Sequence, residues 1–185
     1  TVVSFVLSSF LITHGQTIFG RIKVVLKKLE RKKTLSIDFI PAFEMEFEDH
    51  AVLVGCHRSG EIILKALKKT YGEKVLVLDF NPEVIERLKN AFVACLYGDI
   101  SDPEVVEKLN LKQAKLVVST VQDLADNLAL LDAVEKAQSK AVVIITASDT
   151  AEAVKLYERG AHHVSLPLTL EGTSISRLIA DYQDN

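Results

Sequence analysis

The stretch Val52-Leu-Val-Gly-Cys-His-Arg-Ser-Gly60 decides how the rest of this 185-residue chain is expected to fold. The apolar run at 51–54 is typical of a buried parallel strand, and two glycines five positions apart follow it. Residues 61–70 then repeat with helical period, and their predicted buried face consists of Ile62, Ile63, Ala66 and Leu67. Strand, glycine turn and helix in this order form a phosphate site, because backbone N–H groups and the positive helix end point at an anion.

A second predicted strand, residues 75–79, ends in an acid. Asp79 lies 19 positions after Gly60, which is the offset at which a carboxylate meets the ribose hydroxyls of a nucleotide. Two alternatives are that Asp79 is a strand-end turn residue and that the glycines only allow close packing of strand and helix. The combination of strand, turn and acid favours a nucleotide-binding domain.

The glycine pattern departs from the G-x-G-x-x-G fingerprint at its middle position, which is His57. A glycine at that place lets the backbone approach a pyrophosphate without a Cβ in the way. The imidazole must therefore point away from the ligand or contact phosphate itself. Arg58 beside it is a candidate phosphate ligand, because a guanidinium makes paired, charge-assisted hydrogen bonds.

Strand and helix patterns alternate through the rest of the chain. Further strands are predicted at 92–97, 116–119, 141–146 and 161–166, and a closing helix at 174–182. Helix starts are marked by Asn81-Pro82, Asp102-Pro103 and the pair Asp149 and Glu152. The alternation predicts an α/β fold, a Rossmann-like doubly wound parallel sheet of six strands in the order 3-2-1-4-5-6. The ligand cleft is expected where that order reverses, beside Gly55 and Ser119.

The first 33 residues have a different character. Residues 1–13 are uncharged and mostly apolar, and residues 21–33 carry seven Lys or Arg against one acid. This order is that of the cytoplasmic end of a membrane helix, whereas a signal peptide has its positive charges first. Apolar spacing across 18–29 indicates an interfacial helix, with a helix packed on the domain as the alternative. We therefore predict a helical membrane-proximal segment at 1–33, a linker at 34–49 and a nucleotide-binding domain at 50–185.

Composition and titratable residues narrow the classes of partner. A basic segment on an otherwise acidic chain of net charge −3 is not typical of a nucleic-acid-binding protein. Cys56 and Cys95 lack metal-type spacing and are interpreted as reduced thiols. The adjacent His162 and His163 would point to opposite faces of a strand, so no metal site is predicted.

Several motifs carry a family resemblance. The runs VGCHRSG, LDFNPE, YGDISDPEVVEKLNL, VVSTVQDLADNLALL and GAHHVSLP resemble the regulatory nucleotide-binding domain called TrkA-N, KTN or RCK. The run SSFLIT followed by LERKK resembles the end of the last membrane helix of Kef-type monovalent cation:proton antiporters. The resemblance implies a non-enzymatic domain on the cytoplasmic face of the cell membrane. It would sense a nucleotide, gate the potassium or sodium:proton antiporter domain of the same polypeptide, and form a homodimer through its edge strand and last helix.

The same resemblance implies a ligand and a set of site residues. The ligand is an adenine nucleotide, with AMP or NAD(H) first and ATP or ADP next, while some members respond to glutathione. His57 favours a mononucleotide. Phosphates would lie on the glycine turn, ribose at Asp79, adenine near Asp99, and the phosphates or a second ribose near the end of the fourth strand. The expected cofactor-binding residues are Gly55, Cys56, His57, Arg58, Ser59, Gly60, Asp79, Phe80, Asp99, Ile100, Ser119 and Thr120.

Alternatives remain for parts of this set and for the function. The side chain of Asp99 also fits ordinary turn chemistry, and Ser119 and Thr120 also fit a helix cap. An NAD-dependent oxidoreductase is the first alternative function, although each tyrosine lacks a lysine four residues on. A dimerisation scaffold with an empty cleft is the second.

Overall fold

A computed structural model of the protein describes residues 47–183. Its sheet has six strands: β1 (His50–Val54), β2 (Val75–Asp79), β3 (Cys95–Tyr97), β4 (Ala114–Ser119), β5 (Val142–Thr146) and β6 (His163–Ser165). Their order is β3-β2-β1-β4-β5-β6, and every neighbouring pair is parallel. The predicted Rossmann-like architecture and strand order are thus confirmed. The predictions for residues 1–33, and for the linker up to residue 46, lie outside the described residues.

Six helices connect and follow these strands: α1 (Arg58–Tyr71), α2 (Pro82–Asn90), α3 (Pro103–Lys108), α4 (Leu124–Lys136), α5 (Thr150–Glu158) and α6 (Pro167–Gln183). Helices α2 to α5 each begin after an Asn or Asp whose side chain accepts a hydrogen bond from a backbone N–H of the first turn. These caps are Asn81, Asp102, Asp123 and Asp149. They set the start of each helix and confirm the predicted capping at three of the four positions.

No helix within residues 47–183 combines the length and the apolar character needed to cross a bilayer.

The core lies on both faces of the central strands. All residues of β1 and β2 are buried, which explains why these strands are nearly continuous apolar runs. Helix α1 covers one face through Gly60, Leu64 and Leu67, which are spaced four and three residues apart. The predicted buried face of α1 was therefore partly wrong. Ile62 is 72% exposed and Ala66 is also exposed, because the stripe that meets the sheet begins at Gly60.

Several predicted boundaries differ from the structure, among them the start of the third strand and the start of the closing helix. The third strand begins at Cys95 and not at residue 92, because Phe92 has a positive φ of 53° in the turn that closes α2. The backbone N–H groups of Phe92 and Val93 donate back to carbonyls of that helix. The closing helix begins at Pro167 and not at residue 174, since proline is well suited to the first helical turn, where its missing N–H is not needed.

Candidate functional site

A cavity of about 560 Å³ lies at the carboxyl ends of the strands, at the place where the strand order reverses between β1 and β4. In doubly wound sheets this crevice is the general position of the ligand. The described residues that line it are Val54, Gly55, His57, Leu78, Asp79, Phe80, Asn81, Val84, Gly98, Asp99, Ile100, Thr120, Val121 and Asp126. The structure therefore brings seven of the twelve predicted site residues to one cleft: Gly55, His57, Asp79, Phe80, Asp99, Ile100 and Thr120.

The two glycines of the turn are needed for different reasons. Gly55 has a φ of +83°, and a Cβ built on it would lie 2.7 Å from Thr120 Oγ1. The Thr120 hydroxyl donates a hydrogen bond of 3.0 Å to the Gly55 carbonyl, so this approach is part of the turn. A Cβ on Gly60 would lie 2.5 Å from the same carbonyl oxygen. Gly60 therefore allows the first turn of α1 to pack directly on the glycine turn, as the packing interpretation of the sequence expected.

The first two residues of α1, Arg58 and Ser59, are exposed at the glycine turn. Its first intrahelical bond runs from Glu61 N–H to the His57 carbonyl, so the N–H groups of residues 58–60 have no partner within the helix. His57 occupies the N-cap position and makes no side-chain cap hydrogen bond, in contrast to the caps of α2 to α5. These unused donors and the positive helix end favour an anion.

The backbone conformation at His57 shows why this turn does not need the middle glycine of the G-x-G-x-x-G fingerprint. Its φ of −90° and ψ of −170° describe an extended conformation, which any residue adopts. The side chain is exposed and borders the cleft. A ligand phosphate at the turn would therefore meet an imidazole as well as backbone amides.

Asp79 connects the end of β2 to the glycine turn. One carboxylate oxygen accepts a hydrogen bond of 2.7 Å from Cys56 N–H, and the other accepts one of 2.8 Å from Asn81 N–H. The residue is 7% exposed and lines the cleft. Each carboxylate oxygen can accept more than one hydrogen bond, so the group is able to hold sugar hydroxyls while it keeps the turn in place.

The neighbours of Asp79 and the end of β3 form the other side of the cleft. Phe80 is 70% exposed and presents an aromatic ring at the cleft. Asp99 accepts a hydrogen bond of 2.8 Å from Ser101 N–H, which is the turn chemistry considered as its alternative role. Ile100 is buried and borders the same cavity. This side combines an aromatic ring, an aliphatic side chain and a carboxylate, which together suit a planar base.

Ser119 does not line the cleft, contrary to the expected position of its side chain. It is 1% exposed, and its hydroxyl donates a hydrogen bond of 2.7 Å to Asn127 Oδ1. Asn127 Nδ2 in turn donates to the carbonyls of Val121 and Thr146, at 2.8 and 3.0 Å. This buried network fixes the connection from β4 to α4, so Ser119 supports the site from behind while Thr120 borders it.

Four further predicted residues belong to the turn but not to the cleft lining: Cys56, Arg58, Ser59 and Gly60. The Cys56 side chain is fully buried in the core, and burial together with the Asp79 carboxylate raises the pKa of its thiol to about 11. It contributes its backbone N–H rather than a reactive thiolate. The Arg58 side chain is exposed.

Sequence reasoning missed several residues that line the cleft, among them Asn81, Val121 and Asp126. Asp126 lies in the first turn of α4. The helix that follows β4 begins at the same edge of the sheet as the ligand crevice. This general rule predicts that the first turn of α4 lies beside the cleft, and it could have identified Asp126 from the sequence.

No group of three or more His, Cys, Asp or Glu within residues 47–183 is arranged to hold a metal ion. His162 Nδ1 accepts a hydrogen bond of 3.1 Å from Val143 N–H, which gives this histidine a structural role beside β5.

Comparison with known proteins identifies relatives of this domain. The profile of the TrkA-N domain matches residues 51–167. The chain is 26% identical over 137 residues to the glutathione-regulated potassium-efflux system protein KefC of Escherichia coli. That alignment covers 74% of this chain and 22% of KefC, so the chain spans about a fifth of this curated relative.

Solved structures with the same fold include nucleotide-bound ones, with ADP, AMP or NAD as the ligand. The Kef carboxy-terminal domain of Shewanella denitrificans in its AMP-bound form has a TM-score of 0.63 at 17% identity, covering 74% of this chain and 82% of that one. The GsuK channel bound to NAD has a TM-score of 0.58 at 19% identity, covering 88% of this chain and 29% of that one. With the profile matching more than half of its length, the chain belongs to the TrkA-N domain family.

Proposed function

We propose that this domain binds an adenine nucleotide in the cleft and regulates a potassium-efflux transporter to which it is attached. The observation that carries the proposal is the conjunction at the glycine turn. An uncapped helix start lies next to Asp79, whose carboxylate holds the turn through Cys56 N–H at 2.7 Å. The N–H groups that would bind a phosphate and the carboxylate that would bind the ribose are thereby held in a fixed relative position, as nucleotide recognition requires.

Each part of the ligand has a partner in this arrangement. The phosphate would accept hydrogen bonds from the N–H groups of residues 58–60, and the ribose hydroxyls would donate to Asp79. The adenine would lie against Phe80, with Asp99 within reach of its amino edge. A cavity of about 560 Å³ is in the range of roughly 300–1,000 Å³ typical of small-molecule sites. The proposed ligand is AMP or NAD(H), with ADP or ATP next, since relatives with the same fold hold AMP, NAD and ADP.

The proposed role is regulatory and not enzymatic. The relatives named above are parts of a potassium-efflux protein and of a channel. Dehydrogenase chemistry needs a proton donor or base next to a reacting carbonyl. The polar groups at the glycine turn and at Asp79 are accounted for by binding. Measured turnover of NADH with a carbonyl substrate would instead favour the oxidoreductase alternative.

Helix α6 supports a homodimer. All of its side chains at 168–182 are exposed, and the large apolar ones are Leu168, Leu170, Ile175, Leu178, Ile179 and Tyr182. An isolated helix of this length is marginal in water, and helices in proteins gain most of their stability from a buried apolar face. We propose that a second copy covers α6 and the adjacent edge strand β6. Light scattering tests this arrangement, and a monomer at micromolar concentration would contradict it.

Regulation would pass through the chain that precedes β1. Two hydrogen bonds hold this end of the domain. The His50 imidazole bonds to the Leu109 carbonyl at 3.0 Å, and the Asn110 side chain donates to the Phe47 carbonyl at 3.0 Å. These bonds hold Phe47 and the first residue of β1 against the turn that follows α3. We propose that residues before 47 connect this point to a transport domain in the cell membrane, with the present domain on the cytoplasmic side. A nucleotide shifts the transporter only by its difference in affinity between the two states.

Titration calorimetry with AMP, ADP, ATP, NAD and NADH tests the binding proposal. Asp79→Ala should weaken binding by at least about tenfold, because a carboxylate hydrogen bond is worth roughly 1.5–3 kcal/mol. Asp149→Asn is the matched control, since it changes an acid outside the cleft and retains a good helix cap. Absence of wild-type binding to every nucleotide, or equal affinities in wild type and Asp79→Ala, would overturn the proposal.

A further inference from the structure

The edge of the sheet opposite the cleft carries a row of exposed lysines. They are Lys74 before β2, Lys112 and Lys115 around the start of β4, and Lys140 before β5. Strands β2, β1, β4 and β5 are neighbours in the sheet, and neighbouring strands lie about 4.8 Å apart. The four cations therefore lie on both sides of the amino end of β1.

The ends of the helices do not account for this row. A lysine in the last turn of a helix is stabilised by the helix dipole, as Lys108 is in α3 and Lys136 is in α4. The four lysines of the row lie outside the α-helices. Within residues 47–183, no ion pair holds Lys112 or Lys140, so their charges are available to a partner.

The acids at this edge are partly neutralised within the fold. Asp49 pairs with Lys115 at 3.0 Å, and Glu73 pairs with Lys68 at 3.8 Å. Over the last turns of α1 to α5 and the connections that follow them, Lys and Arg outnumber Asp and Glu. The cleft edge has the opposite character, with acids at helix starts and strand ends, namely Asp79, Asp99, Asp102, Asp123 and Asp149. The domain is thus electrically polarised from one edge of its sheet to the other.

The chain enters the domain at the lysine-rich edge. Residue 47 lies just before β1, which has β2 and β4 as its neighbours. Residues 34–46 span at most roughly 45 Å when fully extended. Residues 21–33, which precede them, carry seven Lys or Arg against one acid. On the proposed function this basic segment is next to the membrane, so the edge at which the chain enters is tethered within reach of the bilayer.

We propose that the row of Lys74, Lys112, Lys115 and Lys140 binds the anionic lipid headgroups of the membrane to which the domain is tethered. The inference rests on the part of the proposed function that attaches the domain to a membrane transporter. The cytoplasmic leaflet has a negative surface potential, and each lysine near it adds to the attraction. The same potential repels the acids of the cleft edge, so the docked domain keeps its cleft away from the lipid and open to nucleotide.

Cosedimentation of the whole 185-residue chain with vesicles, in low-salt buffer without nucleotide, measures this contact. Vesicles of phosphatidylglycerol and phosphatidylcholine are compared with vesicles of phosphatidylcholine alone. Lys140→Gln should lower the affinity for the anionic vesicles about three- to fivefold, which is roughly the contribution of one lysine near such a surface. Asp49→Asn should raise it by a similar factor, because it removes an acid from the edge and releases Lys115. Asparagine tolerates the φ of 53° at this position.

Lys65→Gln and Asp149→Asn are the matched controls. They make the same changes of charge at exposed positions away from the lysine-rich edge, in the middle of α1 and at the cap of α5. Neither should alter vesicle binding. Raised salt should weaken the binding of wild type to the anionic vesicles, since ions screen the attraction.

Equal vesicle affinities in wild type, Lys140→Gln and Asp49→Asn, with thermal melting showing all three folded, would overturn the inference. A loss in Lys65→Gln as large as that in Lys140→Gln would also overturn it, because net charge and not position would explain the effect. Tighter binding to duplex DNA than to the anionic vesicles at the same salt would overturn it in favour of a nucleic acid. Calorimetry with AMP keeps the two proposals apart: absence of nucleotide binding would overturn the sensing role and leave the vesicle result unchanged.

Discussion

Replacing Gly60 by alanine tests whether the amides at the start of α1 hold a phosphate. The added Cβ would lie 2.5 Å from the Gly55 carbonyl oxygen, whereas real Cβ atoms essentially never approach closer than 3.0 Å. The contacted atom is backbone, so a side-chain rotation cannot relieve the overlap. The first turn of α1 must withdraw from the glycine turn by roughly 0.5–1 Å.

Gly60→Ala should change the free energy of unfolding and the free energy of AMP binding by different amounts. Overpacking of this kind destabilises a protein by about 1–3 kcal/mol, and the higher helix propensity of alanine offsets about 1 kcal/mol. The net loss in unfolding free energy should therefore be about 0–2 kcal/mol. A donor that withdraws by this distance lengthens a 2.9 Å hydrogen bond to roughly 3.4–3.9 Å, which is outside the normal range for a hydrogen bond. Losing one bond to a charged phosphate costs about 1.5–3 kcal/mol, so AMP affinity should fall at least about tenfold.

Urea denaturation and calorimetry on the same samples separate the two effects. Gly172→Ala is the control, because an added Cβ there meets nothing within 4 Å and the position lies in α6, outside the cleft lining. It should leave AMP affinity unchanged. If Gly60→Ala folds and binds AMP with wild-type affinity, the start of α1 does not hold the phosphate, and the reasoning from the uncapped helix is wrong.

Three further changes probe other parts of the domain. Burial lowers the pKa of His50 below its ordinary value of 6.5, so the neutral ring stabilises the fold fully above that pH. The unfolding free energy should therefore fall as the pH drops below about 6.5, by up to about 1.4 kcal/mol per unit, and His50→Gln should flatten this decline in urea denaturation between pH 5 and 8. Phe80→Ala should weaken AMP binding by about tenfold in calorimetry through lost base stacking, with Phe92→Ala, an exposed phenylalanine outside the cleft lining, as its control. Asn127→Leu should lower the unfolding free energy by about 2–4 kcal/mol, because it leaves the Ser119 hydroxyl and two carbonyls without a partner, and an unchanged melting temperature would contradict this.

The architecture could be predicted because its signals are local and repeated. Apolar runs mark the buried strands, and Asn or Asp marks the helix starts, so element order and strand order follow from general rules of doubly wound sheets. The position of Asp79 in the cleft follows from the same rules, because the carboxyl ends of β1 and β2 meet at one edge of the sheet. The sheet therefore fixes where the cleft is, independently of the irregular glycine pattern.

The side chains that depend on tertiary contacts could not be predicted in this way. Ser119 is turned inward because Asn127, eight residues later, offers a buried acceptor. Ile62 is exposed because the position of Gly60 sets which stripe of α1 meets the sheet. Phe92 is in a turn because α2 ends with backbone bonds that curl the chain back. In each case an apolar or polar pattern was compatible with two orientations, and a contact that forms only in the folded structure selected one.

A regulatory site must also differ in affinity between two states of the protein, and the contacts indicate where that difference can arise. The glycine turn is held by Asp79 through Cys56 N–H and by the Thr120 hydroxyl, so its geometry is fixed by two neighbouring strands. The ring of Phe80 is 70% exposed at the rim of the cleft. Couplings between sites are typically about 1–3 kcal/mol, which corresponds to roughly a 5- to 150-fold change in affinity. Loss or gain of one stacking contact at Phe80 is of that size. On the proposed function, the turn would keep its contacts to the nucleotide in both states, while a change in domain arrangement would alter the contact of the base with Phe80.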